Sequence, residues 1–404
     1  MKGIYLKGNY QLKNEDNRIS SPIVFFSIYL ALMLFQPEGL GTKAAFITIV
    51  LTMIACLVSG KANINFVCFP RTSLYMFIFL SLVSFVTFIN KGIVSNYYKF
   101  TAQIILFIFM SFIVINKREH KVIRWVFIGS NIVYSIISIR YCFTNVNSRY
   151  FHANIIILGA SFDPNYIGIS LIVTLSLLLD GILQGCKRLL YLLSYFLVAI
   201  AVVLTASRGN MIAWVVSNGF VIFFFLNNKE KPGMRRWLGI GFMFFLFVLF
   251  ASYISTNYSI QWSRMAHITT EDDNGRLALW NETIDLWRQS PVFGNGLRSM
   301  FNTYGKASHN TYLQVLVDSG IIGSLFMFGF LTFIARKAFQ NDKILFSALC
   351  GLLLQIAFLD AVDNRVVWIV FCWVIMLDSS KGDNNEANKE DFALHANEQN
   401  YILW

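Results

Sequence analysis

Three side chains that lie far apart in the chain could bind a phosphate or transfer a proton. Arg208 stands in "TASRGNMIAW", Arg276 follows "EDDNG", and His309 lies in "ASHNTYLQ". A guanidinium binds a phosphate through paired hydrogen bonds, and an imidazole exchanges a proton near neutral pH. If the fold brings these residues together, they could bind a phosphate-bearing ligand and carry out general-base chemistry beside it.

Each of the three also has a plainer interpretation. Arg208 could extend to lipid headgroups, Arg276 could lie on a hydrated helix face, and His309 could cap a helix at the membrane surface. Gly209 favours the functional interpretation of Arg208, because a glycine lets the backbone approach a ligand closely. All three fall on one side of the membrane in the topology below, which favours one shared anion site.

A polar stripe follows His309 into an apolar run. Asn310, Gln314 and Asp318 recur every four residues, so they share one side of a helix. Polar groups inside a bilayer are costly and face a cavity or a partner. Asp318 points nearly opposite His309, which predicts a structural partner for another helix rather than a second catalytic group. Gly320 is expected to allow close packing of that helix.

The composition places the chain among membrane proteins. Of its 404 residues, 56% are hydrophobic and only 14% are charged, whereas a soluble domain carries about 25% charged residues. The net charge of +11 is explained better by basic membrane loops than by nucleic-acid binding. Six cysteines without CxxC spacing or neighbouring histidines argue against a disulfide framework or a metal site.

The apolar runs predict an all-α integral membrane protein with about twelve transmembrane helices. The predicted spans are 21–36, 41–59, 72–90, 98–115, 122–143, 165–183, 188–206, 211–227, 237–256, 310–335, 343–359 and 364–378. With both termini in the cytoplasm, every short inner loop carries at least two Lys or Arg residues, as the positive-inside rule requires. No nucleotide-binding or hydrolase motif is present.

This topology divides the chain into five segments. They are a cytoplasmic tail 1–20, transmembrane helices one to nine in 21–256, a periplasmic loop 257–308, transmembrane helices ten to twelve in 309–378, and a cytoplasmic tail 379–404. Within the loop, Asp273 or Asn274 is expected to cap an amphipathic helix that runs to about Gln289. Its apolar face would consist of Leu277, Trp280, Ile284 and Trp287.

Two shorter outer loops carry further polar residues. Asp163 and Asn165 flank a proline in "SFDPNY", which either starts a helix or contributes to a site. Asp360, Asp363 and Arg365 in "FLDAVDNRVVW" are expected to pair with one another.

The signature residues resemble those of the O-antigen ligase and polymerase superfamily. The family pattern is an arginine shortly before a tryptophan, a Pro…Gly-x-Gly turn, then His-Asn and a later glycine. "SRG" at 207–209 and "DPN" at 163–165 are similar to two further landmarks, in the right order, so the resemblance covers about 170–320. The positions of the pattern are occupied by Arg276, Trp280, Pro291, Gly294, Gly296, His309, Asn310 and Gly320.

The resemblance implies a GT-C-like glycosyltransferase of the bacterial inner (cytoplasmic) membrane that needs neither a metal nor another cofactor. Its donor would be a glycan on undecaprenyl diphosphate, bound at the periplasmic face. Arg208 and Arg276 would hold the diphosphate, while His309 would orient or deprotonate the acceptor hydroxyl or bind the phosphate. The remaining substrate-binding residues would be Asn310, Asp163, Asn165, Trp280 and Gly209.

Two activities within the family fit. A polymerase joins lipid-linked repeat units into O-antigen, capsule or exopolysaccharide, and a ligase transfers the finished chain to lipid A-core. "ASFDPN" and the phenylalanine-rich first half favour the polymerase. Expected partners are the lipid-linked oligosaccharide, membrane lipids, and a chain-length regulator and flippase of the same pathway. A secondary transporter or flippase is less favoured, because the sequence indicates neither paired repeats nor broken helices.

Overall fold

The computed structural model describes most of the hydrophobic part of the chain. The described residues are 19–34, 41–59, 71–91, 97–144, 155–157, 160–185, 188–205, 207–227, 241, 252, 256 and 275–377. The predicted ninth span, 237–256, and both predicted tails lie almost wholly outside them.

The described chain is nearly all helical, as predicted. Its helices are α1 Ser21–Leu34, α2 Gly41–Val58, α3 Arg71–Lys91, α4 Tyr97–Met110, α5 Lys117–Thr144, α6 Pro164–Gln184, α7 Arg188–Leu204, α8 Arg208–Asn227, α9 Arg276–Gln289, α10 Ser299–Tyr304, α11 Thr311–Asn341, α12 Lys343–Gln355 and α13 Arg365–Ile375. Among them, α3, α5, α6, α8 and α11 are long and apolar enough to cross a membrane, and six more are apolar but shorter. The structure thus supports a multi-pass membrane protein, while the number of twelve spans stays a prediction.

Two small elements were not expected from the sequence. Strands β1, Ile155–Ile157, and β2, Ala160–Phe162, pair antiparallel just before α6, in one of the predicted outer loops. The helix α10 follows the predicted glycine turn, and both of its flanking residues, Arg298 and Gly305, have left-handed backbone angles.

Helix α6 forms the centre of the bundle. It packs against α7, α8 and α12, and it is the most buried of the five long helices. A second part of the core joins α4, α11 and α13. There the rings of Phe107 and Phe330 pack edge to face at 5.0 Å, and the ring of Phe330 stacks on Trp368. Many large hydrophobic side chains elsewhere remain exposed, as lipid-facing side chains would be.

Helix α11 is broken at Gly320, contrary to the expectation of a continuous span. Gly320 has φ 63° and ψ −168°, a combination essentially restricted to glycine. In a continuous helix the N–H groups of Ile321 and Ile322 would donate to the carbonyls of Val317 and Asp318. The break frees all four groups. The segment that approaches Gly320 closely is therefore a loop and not a packed helix.

The loop 291–296 satisfies these freed groups. The N–H groups of residues 295 and 296 donate to the carbonyls of residues 317 and 318, both at 2.9 Å. In return, the N–H groups of residues 321 and 322 donate to the carbonyls of Pro291 and Val292 at 2.9 and 3.2 Å. Interrupted helical backbone is tolerated at membrane depth only where protein or water satisfies it. Here the chain's own loop does so, in place of a substrate or an ion.

Helix α9 lies on α11 but differs in detail from the prediction. Gly275, with φ 74°, occupies the N-cap position without any side-chain cap; the predicted capping residues Asp273 and Asn274 lie outside the described residues. The face against α11 is centred on Thr283 and Leu286, whereas Leu277 is 58% exposed. The docking face is therefore rotated from the predicted stripe, because the loop after α9 joins the helix to the broken turn of α11.

Candidate functional site

His309 lies immediately before α11, in a left-handed conformation with φ 50°. The next residue, Asn310, caps the helix, its side-chain oxygen accepting from the N–H groups of Tyr312 and Leu313 at 3.0 and 3.1 Å. The capping role considered for His309 thus belongs to Asn310. This leaves the imidazole of His309 partly exposed beside the helix start.

The charges around His309 identify its neighbours. Burial lowers the pKa of His309 below 6.5, and the positive charge of Arg276 lowers it further, whereas the negative charge of Asp163 opposes the shift. Such Coulomb effects require proximity. The structure therefore brings together three predicted site residues from separate parts of the chain: the end of the β1–β2 segment, the start of α9 and the start of α11.

Asp163 also shapes the start of α6. Its carboxylate accepts from the N–H of Asn165 at 2.8 Å, with Pro164 in the first turn. The structure confirms the predicted helix start, and the same carboxylate acts electrostatically on His309. The two interpretations offered by the sequence are therefore compatible.

The segment that contains Arg208 is joined to the start of α6 through one glutamine. Gln355, at the end of α12, donates to the side-chain oxygen of Asn210 and, at 3.3 Å, to the carbonyl of Asn165. Asn210 also fills the space in front of Gly168, where a β-carbon would collide with it. Arg208 is the first residue of α8, two residues before Asn210.

The start of α11 reaches the same end of α12. The hydroxyl of Tyr312 donates to the carbonyl of Leu353, and that of Thr311 to the carbonyl of Leu359, both at 2.6 Å. The first turns of α6, α8 and α11 therefore surround the last turn of α12. We call this part of the molecule the site end. Arg208 and His309 lie at the same end of the bundle, as a shared site requires.

The opposite end is fixed by its own ion pairs. Arg124 of α5 contacts Asp180 of α6 at 2.7 Å, and His120 contacts Asp342 at 3.3 Å. These two pairs have a structural role, and they lie far from the predicted site residues.

Gly209 and Trp280 differ in what surrounds them. Gly209 is buried, and a β-carbon there would lie 3.3 Å from Phe358 and 3.4 Å from the amide oxygen of Gln355, so helix packing alone explains the glycine. Trp280 lies one turn after Arg276 on α9. Its indole N–H is buried without an acceptor among the described residues, which leaves a donor that a ligand oxygen could satisfy.

Asp318 has the structural role predicted for it, as the partner of another helix. Its carboxylate accepts from the N–H groups of Arg298 and Ser299, both at 2.9 Å, from the Ser299 hydroxyl at 2.7 Å and from Gln314 at 2.8 Å. The partner is therefore the start of α10 in the loop rather than another long helix.

Sequence reasoning missed two residues at the site end. Gln355 is a polar residue at the end of a mostly apolar helix, and this polarity could have indicated a role at the site end. Arg298 pairs with Asp363 at 3.2 Å, whereas the sequence suggested that Asp363 would pair with Arg365. Only the folded loop brings Arg298 to that position.

Comparison with known proteins agrees with the sequence resemblance. Residues 193–328 match the family described as O-antigen ligase, a segment that includes Arg208, Arg276 and His309 but not Asp163. No curated protein gives a match to the chain. The match over residues 193–328 supports the O-antigen ligase/polymerase superfamily that the motifs of the chain predict.

Proposed function

We propose that the protein is a polysaccharide polymerase that joins undecaprenyl-diphosphate-linked glycan repeat units. The observation that carries this proposal is the convergence of Arg276, Asp163 and His309 at the end of the bundle where α8 begins with Arg208. The site end would face the periplasm of the inner membrane, as the distribution of basic loops predicts.

The arginines would act on the leaving group. When the acceptor hydroxyl oxygen bonds to the anomeric carbon, the bond from that carbon to the diphosphate oxygen breaks and the diphosphate keeps the electron pair. Arg208 and Arg276 would stabilise this charge as fixed cations, which lowers the barrier without a metal ion.

His309 would accept the proton of the attacking hydroxyl. Because burial and Arg276 lower its pKa, the neutral form of the imidazole is favoured, and this form can act as a base. Asp163 would stabilise the imidazolium once it forms, since its negative charge favours the protonated ring. A neutral imidazole suits proton transfer better than it suits phosphate binding.

The test uses purified full-length protein with lipid-linked repeat units in detergent, without ATP or added metal. We expect a ladder of longer glycans, lost in Arg208→Ala, Arg276→Ala and His309→Ala. Arg288→Ala is the matched control, since Arg288 is exposed on α9 and pairs with Asp285 at 2.7 Å. Wild-type ladders from all three site variants would reject the site.

The same preparation separates the alternatives. Transfer of a preformed glycan to a lipid A-core acceptor, with no ladder from repeat units alone, would identify a ligase. Glycan movement across liposomes without any new glycosidic bond would identify a transporter or flippase.

A further inference from the structure

A cavity of about 390 Å³ lies beside the site end but outside the His309 cluster. Its walls come from α1, α4, α5, the first two turns of α6, Arg298 and the start of α13. This volume lies in the range of small-molecule sites. The start of α6 contributes to both places: its N-cap Asp163 acts on His309, and Tyr166 in its first turn lines the cavity.

Among the described residues, the cavity is lined by more positive than negative charge. Lys99, Arg298 and Arg365 contribute to this described part of its wall together with one carboxylate, that of Asp363. Asp363 is engaged by Arg298 at 3.2 Å. Within the described part of the chain, neither Lys99 nor Arg365 has a carboxylate partner, and Arg365 donates only to the sulfur of Met33 at 3.6 Å, a weak acceptor.

Such cations are costly to retain in a partly buried wall unless an anion offsets them. Arg298 adds a further sign of a built site, because it adopts φ 57°, which is uncommon for a residue with a side chain. Asp318 accepts from its N–H at 2.9 Å. This contact holds the residue in place while its side chain pairs with Asp363, also in the cavity wall.

The remaining lining includes apolar side chains that fit a lipid, beside the polar groups of Tyr134, Tyr166, Ser170 and Asn364. Met33, Ile167 and Val366 provide apolar wall beside the cations, so a phosphate could lie at Lys99 and Arg365 while a hydrocarbon chain follows the apolar side. A polymerase must hold two lipid diphosphates at once, and their like charges require separate sets of cations.

We propose that this cavity binds the diphosphate of the acceptor lipid, while the Arg208, Arg276 and His309 group binds that of the donor. The inference rests on the proposed polymerase function. The first turn of α6 would then lie between the two lipids, with the reacting sugar ends meeting near His309.

The binding test uses the full-length protein in phosphatidylcholine nanodiscs, with undecaprenyl diphosphate as the probe and native mass spectrometry as the readout. Wild type should bind two probe molecules and Lys99→Gln/Arg365→Gln should bind one. The control Arg288→Gln/Lys306→Gln removes two exposed, paired cations from the same side and should keep two. A double variant that still binds two would overturn the proposal.

One further variant and one further probe test the assignment of the cavity. Lys99→Arg/Arg365→Lys keeps both charges and should bind two probe molecules; loss of one in this variant would overturn the charge-based assignment. Phosphatidylglycerol should not displace the second probe at equal concentration. If it does, the cavity binds ordinary phospholipid headgroups and the acceptor assignment fails.

KM values for two modified substrates distinguish the acceptor site from the donor site. A repeat unit on a non-cleavable phosphonate lipid can only accept, and one methylated at its acceptor hydroxyl can only donate. Lys99→Gln/Arg365→Gln should raise KM for the first by about tenfold or more, as loss of a charge-assisted contact implies, and leave KM for the second unchanged. Equal KM values in wild type and variant would reject the acceptor site, whereas a wild type without product would reject the polymerase function itself.

Discussion

Gly294 and Gly320 meet backbone to backbone. A β-carbon on Gly294 would lie 2.5 Å from the nitrogen of Gly320, and one on Gly320 would lie 2.6 Å from the nitrogen of Gly294. Both residues have positive φ, 81° and 63°. This contact is where the loop after α9 enters the broken turn of α11, and it therefore fixes α9 and Arg276 relative to His309.

Alanine at either glycine should destabilise the protein. The backbone conformation alone costs about 1–3 kcal/mol at such a position, and the contact with the opposite backbone adds to it. Gly329→Ala in the same helix as Gly320 is the control, because its β-carbon would lie 3.9 Å from the nearest atoms of Tyr75, an ordinary van der Waals contact. Thermal unfolding in detergent should show a lower Tm for Gly294→Ala and Gly320→Ala only; an unchanged Tm for Gly320→Ala would contradict the broken helix.

Asp318→Asn should loosen α10 and the loop 291–296. The carboxylate accepts four hydrogen bonds, and an amide would turn a donor toward backbone N–H groups. We expect a loss of about 1–3 kcal/mol from the unsatisfied donors. Hydrogen exchange should rise across residues 291–304, while Asp285→Asn, at an exposed ion pair, should leave it unchanged. Equal exchange in both variants would remove Asp318 as the anchor of α10.

Arg276→Gln should raise the pKa of His309, because it removes a charge that disfavours the imidazolium, and Asp163→Asn should lower it. In the folded wild type, His309 takes up a proton only at a pH below the usual pKa of a histidine, so the unfolded chain is protonated first as the pH falls. The stability contributed by the neutral ring is therefore lost as the pH falls from about 6.5 towards the lowered pKa of His309.

NMR titration of isotope-labelled histidine measures this directly, with the His309 signal assigned from His309→Gln. Arg288→Gln, on the same helix but paired with Asp285, should leave the titration in place. A His309 pKa that does not respond to Arg276→Gln would separate the two residues and weaken the proposed site.

Trp280→Phe should affect binding more than stability. Its indole N–H has no acceptor among the described residues, so phenylalanine breaks no hydrogen bond there and removes a donor available to a ligand. Trp287 donates to the carbonyl of Pro291 at 3.1 Å, so Trp287→Phe should lower Tm by removing that hydrogen bond. A lowered Tm with an unchanged KM for Trp280→Phe would assign Trp280 to packing.

Much of the architecture follows from the sequence. Apolar length predicts the helices, since the bilayer leaves the backbone little alternative to internal hydrogen bonds. Local chemistry predicts the start of α6 at Asp163, because a short carboxylate can reach the N–H of Asn165. The same reasoning failed at the start of α9, where Gly275 takes the cap position and contact with α11 decides which face is buried.

The sequence by itself determined the membrane class and the positions of most of the described helices, and it predicted Arg208, Arg276 and His309 as the residues that bind phosphate and move a proton. Only the tertiary structure decided that Arg276 and Asp163 both act on the charge of His309, and that Lys99 and Arg365 share a cavity. Residue type and spacing specify what a side chain can do within one helix. Which side chains meet is fixed by packing between helices distant in the chain, and by contacts such as that between Gly294 and Gly320.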